Sequence, residues 1–308
     1  MHRLRQAARA SRRTGRRGRP GRRRRHAHPR WGTALVTSLS PAVADAVRCR
    51  WPDRAAAWIE SLSNELAEVC AALAVTPTGR TFSARSAHVI EATSRSGVRL
   101  VLRSSPDPAA AHQAAVSERL AALDLAPALH LVSNTQTSTW TAMDAISPGT
   151  SLAEQEPTPS QLARVTEMMG VLRSGSGPVS APDIVPWLHA RLTEPPADDQ
   201  PPHRGPAAEE QRRAGLDMLD QLADDLRPGL CHGDLSPPNV LHGGRRLWFI
   251  DPRGMNGEAA YDIAVLALKL SYDDLNTARA LARSIALGSG DDPDRAAGWT
   301  VVADAATV

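Results

Sequence analysis

The sequence has few cysteines and no long apolar run, and both absences exclude classes of protein. Cys49, Cys70 and Cys231 are widely spaced, so neither a disulfide framework nor a cysteine zinc site is predicted. An odd number of cysteines favours a reducing compartment, and we expect a cytoplasmic protein. The longest apolar stretch, around residues 263–270, is interrupted by Lys269. Because a membrane span needs ~18 apolar residues, no membrane partner is expected.

Positive charge is concentrated in an arm at residues 1–35. Residues 1–30 contain 13 arginines and no acid, whereas the remaining residues carry 23 basic and 33 acidic side chains. The arm is rich in Arg, Gly and Pro and is predicted to be disordered. It either contacts nucleic acid through phosphates or is dispensable, with the native chain starting near Val36. The acidic remainder favours a cationic ligand by long-range attraction.

Hydrophobic periodicity predicts an α+β fold, with a small β-rich lobe at residues 36–146 and a mostly helical lobe at residues 147–308. Pro148 and Gly149 mark the boundary. The predicted helices are residues 40–74, 109–123, 160–173, 184–192, 208–226, 261–271 and 275–287. The predicted strands are residues 88–93, 98–103, 129–133 and 138–146. A further hairpin is expected between the loop after residue 226 and the helix that begins at residue 261.

Residues 231–251 combine the residue types that phosphoryl transfer needs. The segment begins CHGDLSPPNVL, and a short strand later ends in Ile250 and Asp251. Phosphoryl transfer requires a carboxylate that accepts the proton of the attacking hydroxyl, together with hard oxygen ligands for Mg²⁺. Asp234 is the candidate base, and Asn239 and Asp251 are the candidate metal ligands. Their joint spacing argues against three ordinary turn residues.

The pattern His-Gly-Asp-x-x-x-x-Asn followed by Ile-Asp resembles the catalytic core of the aminoglycoside phosphotransferase and choline kinase superfamily. The run from Ile250 to Glu258 is similar to the streptomycin-type aminoglycoside kinases. The resemblance implies a bilobal protein-kinase-like fold that uses Mg²⁺ and transfers the γ-phosphate of ATP or GTP to an aminoglycoside hydroxyl, giving resistance or producer self-protection. A kinase of another metabolite or biosynthetic sugar, or a non-catalytic nucleotide-binding protein, remains an alternative.

The resemblance places the nucleotide in the first lobe, where two family residues are changed. The family lysine that binds the α- and β-phosphates falls on Arg103, and its glutamate partner falls near Gln113. Arginine can bind phosphate bidentately, although its fork is bulkier than an ammonium group. Ser83, in the polar loop before the first hairpin, is a candidate nucleotide contact. Met143 and Asp144 belong to the segment that is expected to receive adenine.

Further polar residues are predicted to support the site. His232 is expected to hold the catalytic loop by hydrogen bonding, and Asp262 to interact with the dipole at the start of a helix. Glu258 is either a surface residue or a contact for the cationic acceptor. Other carboxylates that could face this acceptor, or simply lie in solvated loops, are Asp273, Asp274 and the cluster Asp291–Asp294. The sequence leaves open the oligomeric state, the choice between ATP and GTP, and the modified hydroxyl.

Overall fold

The computed structural model describes residues 39–194, 205–272 and 274–308, and the basic arm lies outside this part of the chain. Two helices precede a five-stranded antiparallel sheet with the strand order β1-β2-β3-β5-β4. A third helix lies between β3 and β4 in the sequence. These elements are α1 (Pro41–Arg50), α2 (Pro52–Leu73), β1 (Val75–Thr81), β2 (His88–Ser94), β3 (Arg99–Ser105), α3 (Ala110–Ala122), β4 (Leu129–Asn134) and β5 (Thr139–Asp144).

The first part of the chain follows the predicted periodicity, with one strand added. The helix predicted over residues 40–74 is present but breaks at Trp51, because Pro52 begins a second helix. The polar loop predicted before the first hairpin begins only after residue 81, because residues 75–81 form β1 and pair with β2 across an irregularity. This strand contains proline and glycine, which are depleted in strands, and the sequence pattern therefore hides it.

Helix α2 covers one face of the sheet. Trp58 of α2 is fully buried and donates from Nε1 to Ser104 Oγ at 3.0 Å. Glu65 of the same helix accepts a hydrogen bond from Trp140 Nε1 at 2.8 Å. Because side chains alternate between the two faces of a strand, Arg103 lies on the face opposite to Ser104. The packing of α2 therefore determines which residues of β3 are available on the other side of the sheet.

The second part of the chain is mostly helical and contains two short antiparallel strand pairs, β6 with β9 and β7 with β8. Its elements are α4 (Pro159–Arg173), α5 (Ile184–Thr193), α6 (Glu209–Ala223), β6 (Gly229–Leu230), β7 (Val240–Gly243), β8 (Arg246–Phe249), β9 (Asn256–Gly257), α7 (Ala259–Leu270), α8 (Leu275–Ser289) and α9 (Pro293–Ala305). All of the predicted helices are present, and α9 is an addition.

Helix α9 was not predicted because it is buried almost all round. All but one of residues 295–305 are buried in the structure. A helix that is buried on all sides has no polar face, so its sequence lacks the helical alternation of polar and apolar residues that marks an amphipathic segment. Its many alanines also give a weak apolar signal beside the acids that precede it.

The acidic residues that could either face a cationic acceptor or lie in solvated loops have local roles at helix ends. Asp274 caps α8, where its side chain accepts a hydrogen bond from the backbone N–H of Thr277 at 2.8 Å. Asp292 caps α9 in the same way, which satisfies backbone donors that have no partner within the helix. Asp294 forms an ion pair with Arg283 at 3.0 Å. Asp273 lies outside the described residues.

Two hydrophobic clusters stabilise the fold and confirm the predicted α+β architecture. The first joins α1 and α2 to the sheet through residues such as Trp58 and Trp140. The second joins the helices after residue 147 and also contains Val116 and Leu120 of α3. Helix α3 therefore packs with the helical part, although it precedes the predicted boundary between the lobes. Within the described ranges, no helix is long and apolar enough to cross a membrane.

Candidate active site

The loop at residues 231–239 is built around a buried histidine. His232 Nε2 donates to the backbone carbonyl of Ile250 at 2.9 Å, and Nδ1 accepts from the backbone N–H of Asp234 at 3.3 Å. This arrangement requires a neutral ring with its proton on Nε2. Burial lowers the pKa of His232 to about 4, which keeps the ring in that form. His232 thus connects the loop to the end of β8.

Asp262 holds the same loop from the other side. It lies in the first turn of α7, is fully buried, and accepts hydrogen bonds from the backbone N–H groups of His232 at 2.7 Å and Gly233 at 2.8 Å. Burial raises the pKa of Asp262 to about 7, because the ionised form loses its hydration. Sequence reasoning assigned this residue to the helix dipole, whereas its partners in the structure belong to the loop at residues 231–239.

Asp234 and Asn239 are brought together by a short 3-10 turn at residues 237–239. Asn239 Nδ2 donates to the backbone carbonyl of Asp234 at 2.8 Å. The backbone carbonyl of Asn239 accepts from Ile250 N at 3.0 Å, which places Asn239 beside the strand end that carries Asp251. Two prolines in the turn restrict its backbone, since each fixes its own φ angle. The three candidate residues therefore share one hydrogen-bonded framework.

Asp251 and Arg103 form an ion pair that joins the sheet to this framework. Arg103 Nη2 lies 3.0 Å from Asp251 Oδ1 and donates to Gln113 Oε1 at 3.1 Å. Gln113 in turn donates from Nε2 to Asp107 Oδ2 at 3.0 Å. The positions that sequence comparison assigned to a lysine and a glutamate are thus occupied by an arginine and a glutamine in direct contact. Asp107 orients this glutamine, and sequence reasoning did not identify it.

Asn239 and Asp251 have the donor types that Mg²⁺ prefers, an amide oxygen and a carboxylate. The side chain of Asp251 is 54% exposed. It projects from a residue with a φ of 57°, a left-handed conformation in which aspartate is found more often than most residues. Among the described residues, no three His, Cys, Asp or Glu side chains form a metal cluster. Asn239 and Asp251 fit Mg²⁺ by their donor types, because this ion usually binds one or two protein groups and completes its shell with water and phosphate.

Arg253 and Trp187 lie beside Asp234 and were not identified from the sequence. Arg253 Nη2 is 3.5 Å from Asp234 Oδ2, and the guanidinium carbon of Arg253 is 4.4 Å from the centroid of the Trp187 ring. Trp187 comes from α5, more than 40 residues before Asp234, so no local motif connects them. The sequence signal that could have drawn attention to Arg253 was its position two residues after Asp251.

The nucleotide residues predicted in the sheet differ in their placement. Met143 of β5 is paired with Val101, on the face of the sheet that carries Arg103. Asp144 is not brought to Arg103: it projects from the other face, and its carboxylate lies 2.7 Å from His130 Nε2. Ser83 lies exposed in the loop between β1 and β2. Its contact with nucleotide stays a prediction.

The structure corrects the interpretation of Glu258. This residue is 4% exposed and forms an ion pair with Arg295, with 2.5 Å between Oε2 and Nε. It also accepts hydrogen bonds from Trp299 Nε1 and the backbone N–H of Arg227. Glu258 is therefore neither a surface residue nor a free contact for an acceptor. The sequence prediction failed because the partner arginine lies 37 residues further along the chain.

Comparisons with known proteins concern the family and the fold of this chain. The sequence matches the model of the phosphotransferase enzyme family, APH, over residues 74–299. The search of curated proteins finds no significant match. Choline kinase LicA from Streptococcus pneumoniae has a similar structure, with a TM-score of 0.56 and 13% identity over 80% of this chain and 88% of that chain.

Two aminoglycoside kinases have similar folds. Aminoglycoside phosphotransferase APH(3'')-Id from Streptomyces rimosus gives a TM-score of 0.52 and 18% identity over 80% of this chain and 98% of that chain. A thermostable mutant of APH(4)-Ia, in a ternary complex with ADP and hygromycin B, gives a TM-score of 0.52 and 17% identity. The match covers 79% of this chain and 89% of that chain. The structural similarity supports the fold, including its protein-kinase-like arrangement. The low sequence identities leave the substrate open. Because the family match covers more than half of the sequence, this chain belongs to the phosphotransferase enzyme family.

Proposed function

We propose that the chain transfers the γ-phosphate of ATP or GTP to a hydroxyl group of a small molecule, with an aminoglycoside such as streptomycin as the first candidate acceptor. One observation carries the proposal: Asp234, Asn239, Asp251 and Arg103 are connected by direct contacts or by adjacent backbone hydrogen bonds. This is the set of groups that phosphoryl transfer requires.

Each of these residues has a distinct role in the proposed reaction. Asp234 orients the acceptor hydroxyl and accepts its proton as the oxygen attacks the γ-phosphorus. Asn239 and Asp251 hold Mg²⁺, which neutralises charge on the phosphate oxygens when it is bound. Arg103 binds the α- and β-phosphates through its guanidinium group. Gln113 is a neutral partner, so the positive charge of Arg103 is not offset by this residue as it would be by a carboxylate.

The choice of acceptor rests on charge and on resemblance. Outside residues 1–30 the chain has ten more acidic than basic residues, which favours the approach of a cationic molecule. The run from Ile250 to Glu258 is similar to streptomycin-type kinases, and two structural neighbours are aminoglycoside kinases. The enclosure of Glu258 in its ion pair removes one carboxylate that a polycationic acceptor would use. This observation favours a second candidate, a smaller hydroxyl-bearing metabolite such as choline or ethanolamine.

The test measures transfer of labelled phosphate from Mg-ATP and Mg-GTP to streptomycin, hygromycin B, choline and ethanolamine. Asp234→Asn keeps the shape of the side chain but removes the base, and we expect it to lower kcat about 10²- to 10⁴-fold. Asp45→Asn, on the exposed side of α1, is the matched control and should retain full activity. Transfer that is unaffected by Asp234→Asn would contradict the assigned base. Nucleotide binding without transfer to any acceptor would identify a non-catalytic relative.

The role of Arg103 is tested with the same assay. Arg103→Ala is expected to raise the KM for Mg-ATP, because it removes the guanidinium group that is proposed to bind the α- and β-phosphates beside Asp251. Arg103→Lys restores a positive charge that resembles the family residue, and we expect it to recover part of the nucleotide affinity. An unchanged KM in Arg103→Ala would exclude Arg103 as the phosphate ligand.

A further inference from the structure

Arg253 contacts three successive residues of the catalytic loop. Its backbone N–H donates to the carbonyl of His232 at 2.8 Å, and its Nε donates to the carbonyl of Gly233 at 3.1 Å. Its Nη2 lies 3.5 Å from Asp234 Oδ2. The guanidinium group is planar and rigid, so bonding to a backbone carbonyl while pairing with the neighbouring carboxylate restricts how that carboxylate can rotate. Arg253 also lies only two residues after Asp251, so it connects the proposed metal-binding segment to the loop.

Trp187 provides a fixed surface for this arginine. Both Arg253 and Arg191 lie near its ring, with guanidinium carbons 4.4 Å and 5.0 Å from the ring centroid. Arg191 follows one helical turn after Trp187 and is buried. It donates from Nε to the carbonyl of Ala306 at 3.0 Å and from Nη2 to the carbonyl of Thr307 at 3.1 Å. The surface that supports Arg253 is therefore anchored in the core of the helical part.

Two glycines allow the segment around Arg253 to pack this closely. Gly233 has a φ of 80°, and a Cβ atom at this position would lie 2.9 Å from Arg253 Cβ. Gly254 has a φ of 84°, and its Cβ would lie 2.5 Å from the backbone nitrogen of Gln113. Arg253 is thus held between the catalytic loop and the start of α3. Its contacts with Asp234 follow from backbone geometry as well as from its own side chain.

We propose that Arg253, supported by Trp187, is a positioning residue for the catalytic base Asp234. It holds the Asp234 carboxylate in the orientation from which the acceptor hydroxyl is activated. The inference rests on the proposed function, since it assigns Asp234 as the base. It adds a specific consequence: loss of the Arg253 guanidinium impairs the chemical step and leaves nucleotide binding intact, because Arg103, Asn239 and Asp251 remain in place.

The variants separate the guanidinium group from the packing of its stem. Arg253→Met keeps an unbranched apolar stem against Trp187 but removes every donor of the side chain. Arg253→Lys keeps the charge but cannot bond to Gly233 and pair with Asp234 through one planar group. Arg246→Met is the matched control, because Arg246 also stacks on a tryptophan, Trp248, at 4.5 Å, and its ion pair is with Asp124.

Three quantities are measured for each variant. They are kcat with whichever of streptomycin, hygromycin B, choline and ethanolamine the wild type phosphorylates, the KM for Mg-ATP, and hydrogen–deuterium exchange of the amides at residues 232–236. For Arg253→Met we expect kcat to fall about 100-fold, the loss typical of a misplaced reacting group. The KM for Mg-ATP should stay within about twofold, because the interaction acts on the chemical step. Exchange at residues 232–236 should become faster. Arg253→Lys should lie between wild type and Arg253→Met, and Arg246→Met should match wild type.

A kcat for Arg253→Met within about twofold of wild type would overturn the inference. So would a raised KM with an unchanged kcat, because Arg253 would then be a substrate contact. The exchange measurement needs no acceptor. If wild type transfers phosphate to nothing, the proposed function fails on its own, and unchanged exchange in Arg253→Met then overturns the positioning role separately.

Discussion

Replacement of Glu258 by glutamine is expected to destabilise the fold without weakening nucleotide binding. Oε1 of Glu258 accepts from the backbone N–H of Arg227 at 2.6 Å and from Arg295 Nη2 at 2.5 Å. Oε2 accepts from Arg295 Nε at 2.5 Å and from Trp299 Nε1 at 2.9 Å. Every partner is a donor, so the site requires a group that only accepts. A glutamine side chain would present its NH₂ group to one of these donors.

The magnitude follows from burial. The side chains of Glu258 and Arg295 are 4% and 8% exposed, so the variant leaves a guanidinium group buried without its anion. Removal of one partner from a buried ion pair typically costs about 3–5 kcal/mol. Domains have a total free energy of unfolding of about 5–15 kcal/mol. Glu258→Gln should therefore lose a large part of the stability of the fold.

The assay is urea unfolding, followed by tryptophan fluorescence, of Glu258→Gln, Arg295→Met and the double variant. The double variant should be less destabilised than the sum of the single variants, because it removes the unpaired charge. Glu209→Gln is the control: its pair with Arg213 on α6 is highly exposed, and its loss should cost less than ~1 kcal/mol. A cost below about 1 kcal/mol for Glu258→Gln would refute the reasoning. Normal stability combined with lost acceptor binding would restore Glu258 as a substrate contact.

Two further predictions follow from the geometry around the loop. Gly254→Ala should destabilise the protein more than Gly97→Ala. Both glycines have a φ of 84°, but only at Gly254 would the new Cβ meet backbone, 2.5 Å from Gln113 N. Equal free energies of unfolding for the two variants would show that the contact at Gly254 relaxes freely. Burial raises the pKa of Asp262 to about 7, so its contribution to stability is complete below pH 4 and is lost as pH rises to about 7. In urea unfolding, the free-energy difference between wild type and Asp262→Asn should therefore narrow over this range, by at most about 1.4 kcal/mol per pH unit. A widening difference would mean that the backbone donors, which lower the pKa of Asp262, outweigh burial, which raises it.

The parts of the fold that could be predicted are those with a local pattern. The amphipathic helices and the hairpin of β2 and β3 show their period directly in the sequence. Strand β1 and helix α9 do not, because β1 contains Pro77 and Gly79 and α9 is buried on nearly all sides. Their structure depends on tertiary contacts, which no short window of sequence contains.

The same division holds for the candidate site. Asp234, Asn239 and Asp251 lie within 18 residues of sequence, and in the structure they share one hydrogen-bonded framework. Contacts between distant segments were missed or misjudged: Trp187 beside Arg253, and Arg295 against Glu258. A charged residue in isolation looks solvated, because its partner cannot be identified until the chain is folded.

Helices α1 and α2 wholly precede residue 74, where the family match begins. A chain shortened to this family boundary would retain every residue of the proposed catalytic site. It would lose Trp58 and Glu65, and the sheet face opposite Arg103, including Leu102 and the Trp140 indole, would meet water. An apolar face of this kind promotes association between molecules. A failed activity assay on such a fragment would report its aggregation and say nothing about the chemistry of the intact protein.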